Sequence, residues 1–147
     1  MNIAFDIHGV LSDVQNIIPV VNELLAAGHD IYVISGTPVD EMKEELEQKY
    51  GYSLSIFKDF FSVIDHVRRT RPEVDITVNS YGWWIPSDEM WWTIKAEICE
   101  ENNIDLLIDD SIEYMQGYLE DKFICYNLIE NNDILDFIKI AIEEINR

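Results

Sequence analysis

The chain has 147 residues, 48% of them apolar and 12% aromatic, so one domain with a substantial core is expected and a disordered chain is excluded. Ten basic against 29 acidic residues give a formal charge of -19, which repels a phosphate backbone and disfavours general nucleic-acid binding. No apolar run approaches the roughly 18 residues a membrane span needs, and Met1-Asn2-Ile3-Ala4-Phe5-Asp6 lacks the basic-then-apolar layout of a secretion signal.

Ile3-Ala4-Phe5 predicts a buried strand that stops at Asp6, with Gly9 forcing a turn soon after. Ile17, Ile18, Val21, Leu24 and Leu25 keep helical spacing, with Pro19 in the first turn and Gly28 past the end. Ile31-Tyr32-Val33-Ile34 is a second buried strand, broken at Ser35-Gly36-Thr37, and Pro38 opens a helix running to about Tyr50. Asp59 to Arg69 reads as a helix carrying Phe60, Phe61, Ile64 and Val67 on one side, closed by Pro72. Ile76-Thr77-Val78 is then the third strand. A loop holding Trp83, Trp84 and Pro86 leads to a helix from Asp88 to Asn102. Leu106-Leu107-Ile108 is an apolar strand halting at Asp109-Asp110. A short helix, a strand Phe123-Ile124-Cys125-Tyr126 and a last helix from Asn132 to Ile145 complete the order.

Strands that are apolar throughout and alternate with helices imply an α/β fold, a parallel sheet with helices on both faces. No repeat, low-complexity tract or linker divides residues 1–147. Cys99 and Cys125 stand 26 apart with no Cys-x-x-Cys, so no zinc site is expected and both read as reduced, cytoplasmic thiols. Arg68, Arg69 and Arg71 read as a solvated helix end, and His29 and His66 as surface or packing residues.

In parallel sheets of this kind the ligand lies beyond the carboxyl ends of the strands. Three strand ends carry polar residues: Asp6-Ile7-His8, Ser35-Gly36-Thr37 and Asp109-Asp110. Carboxylates brought together repel, and a hard cation such as Mg²⁺ with oxygen ligands relieves them.

These residues carry a resemblance. Phe5-Asp6-Ile7-His8-Gly9-Val10-Leu11-Ser12-Asp13 resembles the first motif of the haloacid dehalogenase-like superfamily, an Asp-x-Asp-Gly-Val-Leu pattern. Ser35-Gly36-Thr37 resembles its second motif, Lys95 its third and Leu106-Leu107-Ile108-Asp109-Asp110-Ser111 its fourth, in the right order over nearly the whole chain. The stretches from Lys95 and from Ile104 are similar to those of small bacterial and phage members, including ones grouped with deoxyribonucleotidases. The resemblance implies a three-layer, Rossmann-like parallel sheet and a Mg²⁺-dependent phosphohydrolase acting on a small phosphomonoester, with nucleotides among the candidates. It makes Asp6 the nucleophile that forms an aspartyl-phosphate. Mg²⁺ would be held by Asp6, the backbone carbonyl of His8 and Asp109, with Asp110 a further ligand or a neighbouring acceptor. Ser35 and the Gly36 N–H would hold the phosphoryl oxygens, and Lys95 would neutralise their charge.

The departure from the family pattern is at His8, where its phosphatases carry a second Asp as acid and base. Imidazole can do acid–base work, but its reach differs from a carboxylate's. Two readings stay open: hydrolysis supported by His8, or a catalytically weakened phosphate-binding protein. A receiver domain ranks below both, because it needs a phosphoaccepting Asp after its third strand and Asn79-Ser80 stand there. Only ten residues separate Gly9 from Pro19, so no sizeable cap domain fits and the site is expected to be open. Trp83, Trp84, Trp91 and Trp92 lie within ten residues, the first pair after the expected third strand, and one or two could stack on a base or sugar at the site's mouth; core or dimer packing is the alternative, and homo-oligomerisation stays open.

Overall fold

A strand that is apolar at every position needs cover on both faces. The computed structural model describes residues 1–115, 122–126 and 133–147 and supplies that cover. Its strands are β1 (Asn2–Phe5), β2 (Asp30–Ser35), β3 (Asp59–Ser62), β4 (Thr77–Asn79), β5 (Gly82–Trp84), β6 (Leu106–Asp109) and β7 (Phe123–Cys125). Its helices are α1 (Val14–Ala26), α2 (Val39–Glu44), α3 (Val63–Thr70), α4 (Asp88–Glu101) and α5 (Ile134–Ile145).

Five strands form one parallel sheet in the order β3-β2-β1-β6-β7. Side chains alternate across it, as the period of two requires. Ile3 and Phe5 of β1 pack with Ile17 and Leu24 of α1, Met42 of α2 and Ile138 of α5. Ala4, between them, joins Val67 of α3 and Ile94 and Ile98 of α4 on the other face. The chain is therefore α/β, with helices on both sides of the sheet. Numbered within the sheet, the order is 3-2-1-4-5, and the direction of winding reverses between β1 and β6. Receiver-type sheets run 2-1-3-4-5 instead, so that reading is set aside. No helix among the described residues is long and apolar enough to cross a membrane.

Three expectations need correction. The segment expected as one helix from Asp59 to Arg69 is a strand followed by a helix. Asp59–Ser62 pairs in parallel with Tyr32–Ser35, and α3 starts only at Val63. Ser62 is the reason: its backbone is extended and its hydroxyl accepts from the Asp65 N–H, so it caps a new helix. The third strand of the sheet is thus β3. The segment expected in that role, around Thr77, forms an exposed antiparallel hairpin with Trp83 and Trp84, outside the sheet. α1 begins at Val14, earlier than expected, so Pro19 sits in its interior rather than its first turn. The helix opened at Pro38 runs to Lys49 as expected, with its last stretch, Glu45–Lys49, wound more widely. The last helix is described from Ile134, and its expected start at Asn132 lies outside the described residues.

Two of the three arginines are strapped to α4 rather than merely solvated. Arg71 pairs with Glu97 at 2.8 Å and Arg69 with Glu101 at 3.2 Å. Buried His66 bonds Glu97 at 2.9 Å, so the expected packing role holds for it. Arg71, and after it His66, pull the Glu97 carboxyl down to about 2. The strap fixes α3 against α4, the two helices that bring Ser62 and Lys95 to the sheet.

Replacing Ser62 with Ala removes the α3 cap and the hydroxyl's bond to the Gly36 carbonyl at 3.3 Å. The expected loss is about 1 kcal/mol, read as a lower urea midpoint at unchanged m-value. An unchanged midpoint would show that α3 is held by its packing alone.

Candidate active site

Ligands gather where the winding of a parallel sheet reverses, and here that point lies between β1 and β6. Phe5 faces Ile108 in the register, and the Asp6 N–H bonds the Ile108 carbonyl at 3.0 Å. The next residues, Asp6 and Asp109, therefore leave neighbouring strands side by side. Adjacent strands are about 4.8 Å apart, so two carboxylates at this edge must meet. Asp110 joins them: ligand oxygens of Asp6, Asp109 and Asp110 all lie within 4.8 Å of one another.

Lys95 reaches this cluster from α4. It is 2% exposed, and its Nζ lies 2.6 Å from Asp109 Oδ2 and 3.2 Å from Asp6 Oδ1. Two of the three carboxylates are held above the ordinary range, Asp6 well above it. For Asp6 the cause is first burial, opposed by Lys95 and reinforced by Asp109 and Asp110. For Asp110 it is burial, then the hydrogen bond and charge of Asp109. One ammonium thus faces three carboxylates, and the donors are all oxygens. That set suits a hard divalent cation, so the residues fit the metal that the first and fourth motifs imply.

Two glycines let the loops close in. After Asp6 the chain makes a wide turn, Ile7–Leu11, in which the Leu11 N–H bonds the Asp6 carbonyl. Gly9 has φ +80° there, and a Cβ on it would run into the Asp110 carboxylate. Gly36 has a different reason: a Cβ would collide with the Trp91 ring. Behind the turn, Tyr52 donates to the Leu11 carbonyl at 2.5 Å and Tyr126 to Asp13 Oδ2 at 2.7 Å, which anchors it to two other parts of the chain.

A cavity of about 250 Å³ opens over this edge, and Asp6, His8, Ser35, Gly36, Lys95 and Asp110 all line it. Asp109 lies beneath, fully buried. The sequence-derived candidates are therefore brought together. His8 is the exception in orientation: its side chain is half exposed and Nε2 lies 2.6 Å from Glu45 Oε1.

The sequence left part of the wall without an assigned role. Thr37, Tyr81 and Trp91 line the same cavity. Trp91 stands four residues before Lys95 on α4, a spacing that puts both on one helix face, so this signal was present. Trp83 also lines it, with its indole N–H on Glu41 at 2.8 Å and the Arg68 guanidinium over its ring at 4.9 Å. Trp84 points elsewhere and is half exposed. The β4–β5 hairpin that carries these rings is the one small insertion between α3 and α4. Comparison with family models, with curated proteins and with solved structures finds no match.

The raised carboxylates have a consequence for stability. A carboxyl whose folded pKa lies above its unfolded value makes the folded state bind the extra proton. Its contribution is greatest at acid pH and is lost as pH rises through the folded value. Without divalent ions, Asp6→Asn and Asp110→Asn should therefore raise the melting temperature at pH 7.5, by about 0.5–2 kcal/mol of stability, and less at pH 5. Mg²⁺ should raise the melting temperature of the unsubstituted chain and lose most of that effect in Asp109→Asn. Variants less stable than the parent at pH 7.5 would mean that the carboxylates hold one another through shared protons instead.

Proposed function

We propose that this chain is a Mg²⁺-dependent phosphohydrolase of the haloacid dehalogenase-like kind, acting on a small phosphomonoester through an aspartyl-phosphate on Asp6. One observation carries the reading: three carboxylates around the buried Lys95 ammonium at the point where the sheet reverses, under a cavity bordered by Ser35 and Gly36. The four motifs in order, the sheet order and the absence of a large insertion agree with it. The ion would be held by Asp6, Asp109, Asp110 and the His8 carbonyl, and when bound it supplies charge neutralisation to the phosphoryl oxygens.

The chain's own groups do the rest. Ser35 Oγ and the Gly36 N–H orient the phosphoryl oxygens, and Lys95 Nζ balances their charge as negative charge shifts toward the leaving oxygen. An Asp6 oxygen forms the bond to phosphorus while the bond to the alcohol oxygen breaks, and the alcohol takes a proton from the His8 imidazolium. Water then attacks phosphorus and gives its proton to His8, and the bond to Asp6 breaks to release phosphate. His8 must swing from Glu45 toward the cavity for either transfer.

That requirement is what favours a second reading, a phosphate-binding protein with weak turnover. With His8 held on Glu45, the position of the family's second carboxylate offers no acid.

A Mg²⁺-dependent screen of phosphomonoesters, with Asp6→Asn as the blank, tests the first reading. Turnover should vanish in Asp6→Asn, and His8→Ala should lose roughly 10²–10⁴-fold. His8→Asp, which restores the family residue, should keep or improve it. If only His8→Asp hydrolyses and the parent merely binds, the second reading stands.

A further inference from the structure

Beyond the carboxylates the cavity has a second half that the phosphoryl chemistry does not use. Its wall is aromatic: Trp91 from α4, and Tyr81 and Trp83 from the hairpin. Trp83 is pinned from two sides, by Glu41 of α2 and Arg68 of α3, so its ring is a fixed surface. Trp91 lies against Gly36, which brings an indole to the turn expected to hold the phosphoryl group. Tyr81 is 88% exposed yet borders the cavity, at the hairpin's two-residue tip. A large ring is thus left mostly in water at the cavity's border.

Thr37 supplies an independent observation. It borders the same cavity, and its Oγ1 is shut off from solvent with no hydrogen-bond partner among the described residues. A buried hydroxyl without a partner is costly, and such groups are rare in folded proteins. Threonine has alternative staggered χ1 positions, and an atom placed in the cavity can provide the missing partner.

We infer that Thr37, Tyr81, Trp83 and Trp91 form the subsite for the alcohol part of the substrate, and that this part is a flat ring bearing a hydroxyl or ring heteroatom close to the ester. The inference rests on the phosphomonoester reading for its orientation: phosphate at Ser35 and Gly36, ring against the indoles. A volume of about 250 Å³ is at the small end of ligand pockets, so the ligand is one small molecule rather than a chain. The wall adds rigid contact area at little entropic cost, and Thr37 adds direction.

The test crosses ring with hydroxyl. Four esters serve as probes: pyridoxine 5′-phosphate has both, benzyl phosphate the ring, glycerol 1-phosphate the hydroxyls, and ethyl phosphate neither. Binding to the full chain with Mg²⁺ is followed by stopped-flow tryptophan fluorescence, and release of phosphate is measured alongside. Pyridoxine 5′-phosphate should bind at least tenfold more tightly than ethyl phosphate. Thr37→Val should reduce the preference for pyridoxine 5′-phosphate over benzyl phosphate by about threefold to tenfold, the worth of one hydrogen bond. Tyr81→Ala, at an exposed position where folding is not at stake, should reduce the preference for benzyl over ethyl phosphate. Equal binding of all four esters, binding of none, or variants that weaken all four alike, overturns the subsite. Selective binding without phosphate release keeps the subsite and sinks the hydrolase reading. Release of phosphate from all four at equal affinity does the reverse.

Discussion

A single buried ammonium organises the molecule. Lys95 lies between Asp6 and Asp109 at the carboxyl edge of the sheet, with Asp110 beside them, and the charges do not balance. In a low-dielectric interior such an excess of negative charge is expensive, and a folded chain tolerates it only where something else completes the site. Moving any one of the four groups outward would relieve the strain, so the scaffold must hold all of them inward.

Each layer of the fold contributes to that restraint. The register of β1 against β6 puts the first two carboxylates on neighbouring strand ends, and the sheet core of Ile3, Phe5, Leu106 and Ile108 keeps those strands from slipping. A one-residue slip would turn every side chain to the opposite face. On the far face, α4 is packed through Ile94 and Ile98 into the cluster that holds Leu107, and it delivers Lys95. The Arg71–Glu97–His66 strap locks α4 to α3, and α3 in turn donates the Ile64 N–H to the Gly36 carbonyl at 3.2 Å. The turn at Ser35 and the ammonium at Lys95 are thus placed by one connected body rather than by two independent elements.

How much of this was legible in the sequence depended on local contrast. β1, β2 and β6 are apolar runs that stop abruptly at polar residues, so both the strands and the residues at their ends were readable. Asp59-Phe60-Phe61-Ser62 is short and flanked by helix-compatible residues, and its aromatic pair fits a helix face as well as a strand. Only the helix-capping role of Ser62 separates the two, and that depends on the extended backbone before it. The hairpin misled in the opposite sense: Ile76-Thr77-Val78 has strand character, but its exposed edge shows that strand propensity does not specify which sheet a strand joins. Asp6, Ser35, Lys95 and Asp109 were found because motif spacing carries them. Tyr81 had no such signal, since its place in the cavity wall comes from tertiary packing, whereas Thr37 stood in the second motif without a role of its own. The sequence also had no means of showing that His8 turns toward Glu45, a residue 37 positions away.

The contact between Gly36 and Trp91 extends to a different question, that of inheritance. The two residues are far apart in the chain but share one small volume, because the ring fills the space a side chain at position 36 would need. A larger residue at 36 demands a smaller one at 91, and a smaller ring at 91 opens room at 36. Across descendants of this sequence the two positions are therefore bound to change as a pair. A lineage that widens the pocket by losing the tryptophan frees its turn from glycine, while one that keeps the tryptophan keeps the glycine with it.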